Sequence, residues 1–148
     1  MSDTTRKVQL MQTFVPYDSF VESAKCLDYR RLGKQRVETL QILKSLTVPG
    51  YGWSNHPATK MWAGHVNGLC AYGLNICEEW ISRGYNDTCM QKIADIIEPD
   101  WDDLPAWWGD DAIHASHRAN LLRKLPEHYT QFGWKEDPSL PYVWPSLV

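Results

Sequence analysis

The chain reads as an all-α protein, a single compact helical domain, on three observations. No run of the 148 residues alternates apolar and polar side chains as a half-buried strand would. Apolar residues recur at helical spacing over one long stretch, His56 to Gly84. Cap and turn residues divide the rest of the chain into helix-length pieces.

The long stretch, HPATKMWAGHVNGLCAYGLNICEEWISRG, is the expected centre of the fold. Asn55 is placed to cap it, and Pro57 falls in the first turn, where its missing N–H costs nothing. Gly84 is placed to end it. Met61, Trp62, Val66, Leu69, Cys70, Ile76, Cys77, Trp80 and Ile81 supply the apolar stripe; Asn67, Asn75, Glu78, Glu79 and Ser82 form a polar edge. Gly64, Gly68 and Gly73 each cost a helix about 1 kcal/mol relative to alanine. Gly64 and Gly68 lie on one face, with Ala71 a turn later, so close approach of another backbone is the expected compensation. The apolar Met11–Val15, barred from helix by Pro16, is the candidate for that backbone.

Residues 1–10 are polar and aperiodic and are expected to be a flexible tail, leaving 11–148 as the domain. Ser19 with Glu22 resembles a capping box opening a helix that holds Phe20, Ala24 and Leu27. The basic block DYRRLGKQR leads into a stripe of Val37, Leu40 and Leu43, with Gly33 as an expected break between two helices. Thr47 to Asn55 is a Pro-Gly connection. Asp87 is placed to cap a short helix with Cys89, Ile93 and Ile96, and Asp110 or Asp111 the next, which carries Ile113, His117, Leu121 and Leu122. Pro126 begins a last turn, and an extended Pro- and aromatic-rich tail is anchored by Tyr142 and Trp144.

Composition bounds the function. The sequence is 43% hydrophobic with 8 Trp, enough for one packed core, and has neither a membrane-spanning run nor a secretory leader pattern. The four cysteines show no CxxC spacing and read as reduced core thiols of a cytoplasmic protein, with no zinc site expected. Net charge is −3, yet it is divided: Lys25, Arg30, Arg31, Lys34, Arg36 and Lys44 face only Asp28 and Glu38 in their region, whereas Glu78 to Asp111 is strongly acidic. Such a molecule can present a basic groove to nucleic acid despite its acidic total.

Several segments together resemble a known family. AGHV (Ala63–Val66), EEWISRGY (Glu78–Tyr85), the DYRRLGKQR block and HASHRANLLRKLPEHYTQFGW (His114–Trp134) are similar, in this order, to the phage-type pyrimidine-dimer DNA glycosylases of the endonuclease V type. The resemblance implies an all-helical, cofactor-free DNA-repair enzyme that acts on pyrimidine dimers or another damaged or modified base. It implies an amino-terminal segment threaded between helices, whose α-amine attacks C1′ and forms an imine before β-elimination. It also implies a catalytic glutamate directly after a Tyr-Arg pair. Here Arg31 stands in that place, and a guanidinium cannot be a general base. Glu38 and Asp28 are the nearest carboxylates. The family's amine falls near Met11, and translation from that methionine would restore a terminus there.

The candidate catalytic residues are therefore Met11, Arg31, Lys34 and Glu38, with Lys34 read either as an imine-forming amine or as a phosphate contact. Tyr29, Arg30, Arg31, Lys34, Arg36, His65, His117 and Arg118 are the candidate nucleic-acid contacts; a solvated helix face is the bland alternative for the basic block. His114 and His117 are spaced i, i+3, a weak metal pattern without a second motif, and His65 is either a core histidine or the edge of a pocket. Trp53, Trp101, Trp107 and Trp108 are expected in loops, where they stack an extruded base or anchor the loop. Three functions follow. The first is a glycosylase with AP-lyase activity on DNA; the others are a non-catalytic nucleotide or nucleic-acid binder on the same scaffold and an enzyme of modified-nucleotide metabolism.

Overall fold

The computed structural model describes residues 11–98 and 103–145; the expected tail over 1–10 and the expectation for Trp101 lie outside them. The described residues form seven α-helices and no strand. They are α1 (Phe20–Cys26), α2 (Tyr29–Thr47), α3 (Pro57–Lys60), α4 (Val66–Ser82), α5 (Met90–Ala94), α6 (Asp111–Lys124) and α7 (Pro126–Tyr129), followed by a 3₁₀ turn over Thr130–Phe132. None is long and apolar enough to cross a membrane.

Local chemistry sets most boundaries. The Ser19 hydroxyl accepts from the Glu22 amide at 3.1 Å and starts α1. Asp87 accepts from the amides of Cys89 and Met90 at 3.1 and 2.7 Å, and Asp110 accepts from Ala112 at 3.0 Å. Pro126 opens α7.

The single long central helix is not formed. Its first turn is α3, which is capped by His56, not by Asn55. The chain then turns at 61–64, where Gly64 takes φ +81°, and restarts at α4. Three anchors hold the break. Met61 and Trp62 are buried in the core, the Trp62 indole donates to the Thr13 hydroxyl at 2.9 Å, and the Asp103 carboxylate accepts from the Asn67 and Gly68 amides at 3.1 and 3.3 Å. The backbone that closes on the glycine face is therefore the loop at Asp103, not Met11–Val15. A Cβ on Gly68 would lie 2.0 Å from the Asp103 carbonyl oxygen.

Gly33 is likewise not a break. It lies inside α2 because the indole of Trp80 lies against it, 2.8 Å from where a Cβ would be. A second close approach, Gly73 of α4 against Thr39 of α2, makes these two helices the principal pair of the fold. Leu32, Ile42, Leu43, Leu69 and Ile76 fill the seam, with Ile93, Ile113 and Tyr129 closing the core. The cysteines are free and buried, as expected. At the carboxyl end Trp134 stacks on Tyr129 with ring centroids 5.7 Å apart, and Tyr142 and Trp144 pack against the core.

Gly68→Ala should lower thermal stability by about 1–3 kcal/mol, because a backbone carbonyl cannot give way as a side chain can. A thermal melt of the variant checks this; an unchanged midpoint contradicts the close approach.

Candidate active site

The segment that reads as a short apolar stretch is the one around which the site is built. Met11 to Pro16 is extended and buried between helices, with no strand beside it to pair its backbone. Side chains do so instead. Gln35 of α2 donates to the Gln12 carbonyl at 2.6 Å and accepts from the Phe14 amide at 3.0 Å. Tyr72 of α4 donates to the Phe14 carbonyl at 2.7 Å. His117 Nδ1 accepts from the Val15 amide at 2.9 Å, and His114 Nδ1 donates to the Val15 carbonyl at 2.7 Å. Arg118 donates to the Pro16 carbonyl at 2.8 Å.

The Thr13 amide donates to Gln12 Oε1 at 2.9 Å, and the Gln12 N–H points at Glu38 Oε2 over 3.3 Å. Burial raises the Glu38 carboxyl above its ordinary value, although Gln12, Lys34 and Lys124 all favour the charged form. Glu38 lies one turn after Lys34, which it meets at 3.5 Å, and Arg30, Arg31 and Gln35 share that side of α2. With Phe14 and Lys124 they enclose an open cavity of about 260 Å³. The site thus has four cations around one partly desolvated carboxylate at its floor.

Arg31, where the resemblance implies a glutamate, pairs with Asp28 at 3.2 Å. Burial would raise the Asp28 carboxyl, but hydrogen bonds from Tyr129 and Arg31 hold it below its ordinary range, so it is spent as a helix cap and ion-pair partner.

The other predicted residues are dispersed. Met11 is buried in the core cluster, and its nitrogen is a peptide nitrogen in this chain. Tyr29 is exposed and stacks on Tyr85. Arg36 turns away from the cavity, to Asp87 at 2.6 Å and over the Trp80 ring at 4.5 Å. Arg118 spends its guanidinium on Glu136, Asp111 and the Pro16 carbonyl. His117 is fully buried, and the rings of His114 and His117 both serve Val15. His65 meets Asp103 at 2.7 Å beside a second cavity of about 410 Å³ that also takes in Lys60, Trp107 and Asp110. Trp107 donates to the Met61 carbonyl at 2.7 Å and Trp108 packs on Phe20, so both anchor their loop.

Sequence reasoning missed Lys124, Gln35 and Phe14. The cationic run Arg123-Lys124 was legible, but its meeting with α2 depends on tertiary packing.

The class defined by these features is an all-helical protein with a threaded amino-terminal segment and a cationic cavity floored by a carboxylate. A sequence model of the pyrimidine dimer DNA glycosylase family matches residues 11–93, more than half of the chain, and the chain belongs to that family. The match takes in the threaded segment, α2 and α4. No curated protein and no solved structure matches the chain.

Burial, with a smaller contribution from His114, pushes the His117 imidazole down to about 3. An ordinary histidine in the unfolded chain titrates near 6.5. The unfolded state therefore binds more protons between about pH 3 and 6.5. Stability should be fully present above pH 6.5 and fall on acidification through that window, by at most about 1.4 kcal/mol per pH unit from this group. His117→Asn keeps an acceptor for the Val15 amide but does not titrate. Denaturant unfolding between pH 7 and 4.5 should show a lower starting stability and a much shallower slope for the variant; parallel slopes would contradict the assignment.

Proposed function

We propose that this protein excises a damaged or modified base from DNA and cleaves the strand as an AP lyase, through an imine between a protein amine and C1′ of the lesion nucleotide. The observation that carries the reading is Glu38. It is the carboxylate of the cavity, its pKa is raised by burial, and it stands beside the family-matched amino-terminal segment. A carboxyl shifted upward can hold a proton to give to a departing base and then act as a base in its ionised form. Arg30, Arg31 and Lys34 supply the charge that draws in the phosphates on either side of the lesion.

The chemistry balances with these groups. A neutral amine attacks C1′ as the glycosidic bond breaks, and the base leaves with the proton of Glu38. A proton passes from the new C–N nitrogen to O4′ as the sugar ring opens, giving the protonated imine. Glu38 then takes a C2′ proton, the C3′–O bond breaks with its electron pair on the phosphate, and water hydrolyses the imine.

Arg31 favours a second reading, a non-catalytic binder of DNA or a nucleotide, because it fills the place of the family's carboxylate. Borohydride reduction on abasic and dimer-containing duplexes separates the two. Base excision predicts a covalent protein–DNA adduct that Glu38→Gln reduces by about 100-fold or more. A shifted but untrapped duplex supports the binder; a duplex neither trapped nor shifted overturns both readings.

For either reading, Arg30→Ala and Lys34→Ala should each reduce the slope of log K against log salt by about one unit on duplex DNA. Titrations at several salt concentrations check this. Unchanged slopes would place the DNA elsewhere.

A further inference from the structure

We propose that the outer ridge of α2 and the loop after it form a track for an unpaired DNA strand leaving the cavity, so that a lesion with a single-stranded flank is the preferred substrate. The proposal rests on the base-excision reading above and adds the form of DNA that the site takes.

The ridge follows from spacing. Arg30, Lys34, Val37, Gln41 and Lys44 recur at i, i+4, i+7, i+11 and i+14, so they share one face of α2 within an arc of about 80°. That face is exposed at Arg30, Lys34 and Val37 and half-buried at Gln41 and Lys44. Arg30 and Lys34 border the cavity. Lys44 makes no ion pair among the described residues. Glu38 is the one carboxylate between Tyr29 and Trp53, and its side chain is 13% exposed, so no anion of this stretch interrupts the ridge.

An exposed aromatic ring stands at each end. Tyr29, 51% exposed, opens α2, with the Arg30 guanidinium 5.7 Å from its ring centre and Tyr85 stacked on it. Tyr51, 40% exposed, lies just past the last turn, with Lys44 Nζ 6.0 Å from its ring centre. The far ring is held in place. Ser45 donates to the Gly52 carbonyl at 2.6 Å, and the Tyr51 amide donates to the Val48 carbonyl at 3.2 Å. Trp53 packs edge-on against Tyr51 while resting on the core. It keeps φ +62° there, a conformation that a bulky residue adopts only where its surroundings hold it.

Cations along a surface with open aromatic rings among them suit a single strand, because the cations take phosphates and the rings stack on bases. The bases of a duplex are already stacked and offer such rings little. A solvated helix face accounts for the charges but not for two open rings buttressed at its ends. From Arg30 to Lys44 is about 21 Å at 1.5 Å per residue, the length of about six stacked nucleotides. The strand therefore passes from the cavity over Lys34 and Val37 to Lys44 and Tyr51.

Binding to DNA that carries a tetrahydrofuran abasic analogue, which forms no imine, separates this test from the chemistry. The analogue is placed in blunt duplex or beside a tail of about six unpaired nucleotides on its 5′ or its 3′ side. The full chain should bind one tailed form about 10-fold more tightly than the blunt duplex. Tyr51→Leu should remove most of that preference, and Tyr51→Phe should retain it, since only the second keeps a ring. A 2-aminopurine at the end of the tail should be quenched by the parent and Tyr51→Phe proteins but not by Tyr51→Leu. Lys44→Ala should lower the slope of log K against log salt on the tailed form by about 0.7. Equal affinity for blunt and tailed DNA, or a preference that Tyr51→Leu keeps, overturns the track while leaving base excision intact. A parent protein that binds none of these DNAs overturns both.

Discussion

An extended segment buried in an all-helical protein has no neighbouring strand to satisfy it, and that constraint organises this molecule. Each buried amide or carbonyl left without a partner costs about 1–3 kcal/mol. Between Gln12 and Pro16 the cost is avoided by Gln35, Glu38, Tyr72, His114, His117 and Arg118, drawn from α2, α4 and α6. This explains why a core rich in Leu and Ile also buries Gln35, His114 and His117 at no more than 3% exposure. The two rings take complementary tautomers on one residue: His117 accepts from the Val15 amide, while His114 donates to its carbonyl. His117, whose Nδ1 accepts, is held neutral by that hydrogen bond.

The site follows from the same arrangement. Along α2, Gln35 and Glu38 turn toward the threaded segment, and Arg30, Arg31 and Lys34 lie on the adjoining rim of the cavity. The carboxylate is thereby held where buried backbone meets a cationic opening. It is partly desolvated from one side and supported by charge from the other. Asp28, only a turn away from Arg31, has the opposite environment and remains a structural anion. Two carboxylates, one capping α2 and one at its middle, are thus separated into different tasks by what surrounds them.

Features written in local chemistry were legible in the sequence. Ser19 with Glu22, Asp87, Asp110 and Pro126 mark helix starts because a short polar side chain or a fixed φ acts on its nearest neighbours. Absence of strand alternation marked the fold class, and the DYRRLGKQR block marked the basic side of the cavity. Long-range packing was not legible. The break at 61–65 depends on Trp62 reaching Thr13 and on Asp103 capping α4 from a distant loop. Gly33 looked like a break because its partner, Trp80, lies far along the chain. Arg118 and His117 read as nucleic-acid contacts because their acceptors and donors, Glu136, Pro16 and Val15, are brought to them only by folding.

Native-state hydrogen exchange, resolved at the amides of Gln12, Phe14 and Val15, addresses the threaded segment most directly. If side-chain hydrogen bonds clamp it into the core, Phe14 and Val15 should exchange only by global unfolding, as slowly as the most protected amides of α2. Gln12, at the rim beside Glu38, should exchange somewhat faster. Rapid exchange at Phe14 and Val15 while α2 stays protected would mean that the segment detaches on its own, and the account of fold and site built upon it would be contradicted.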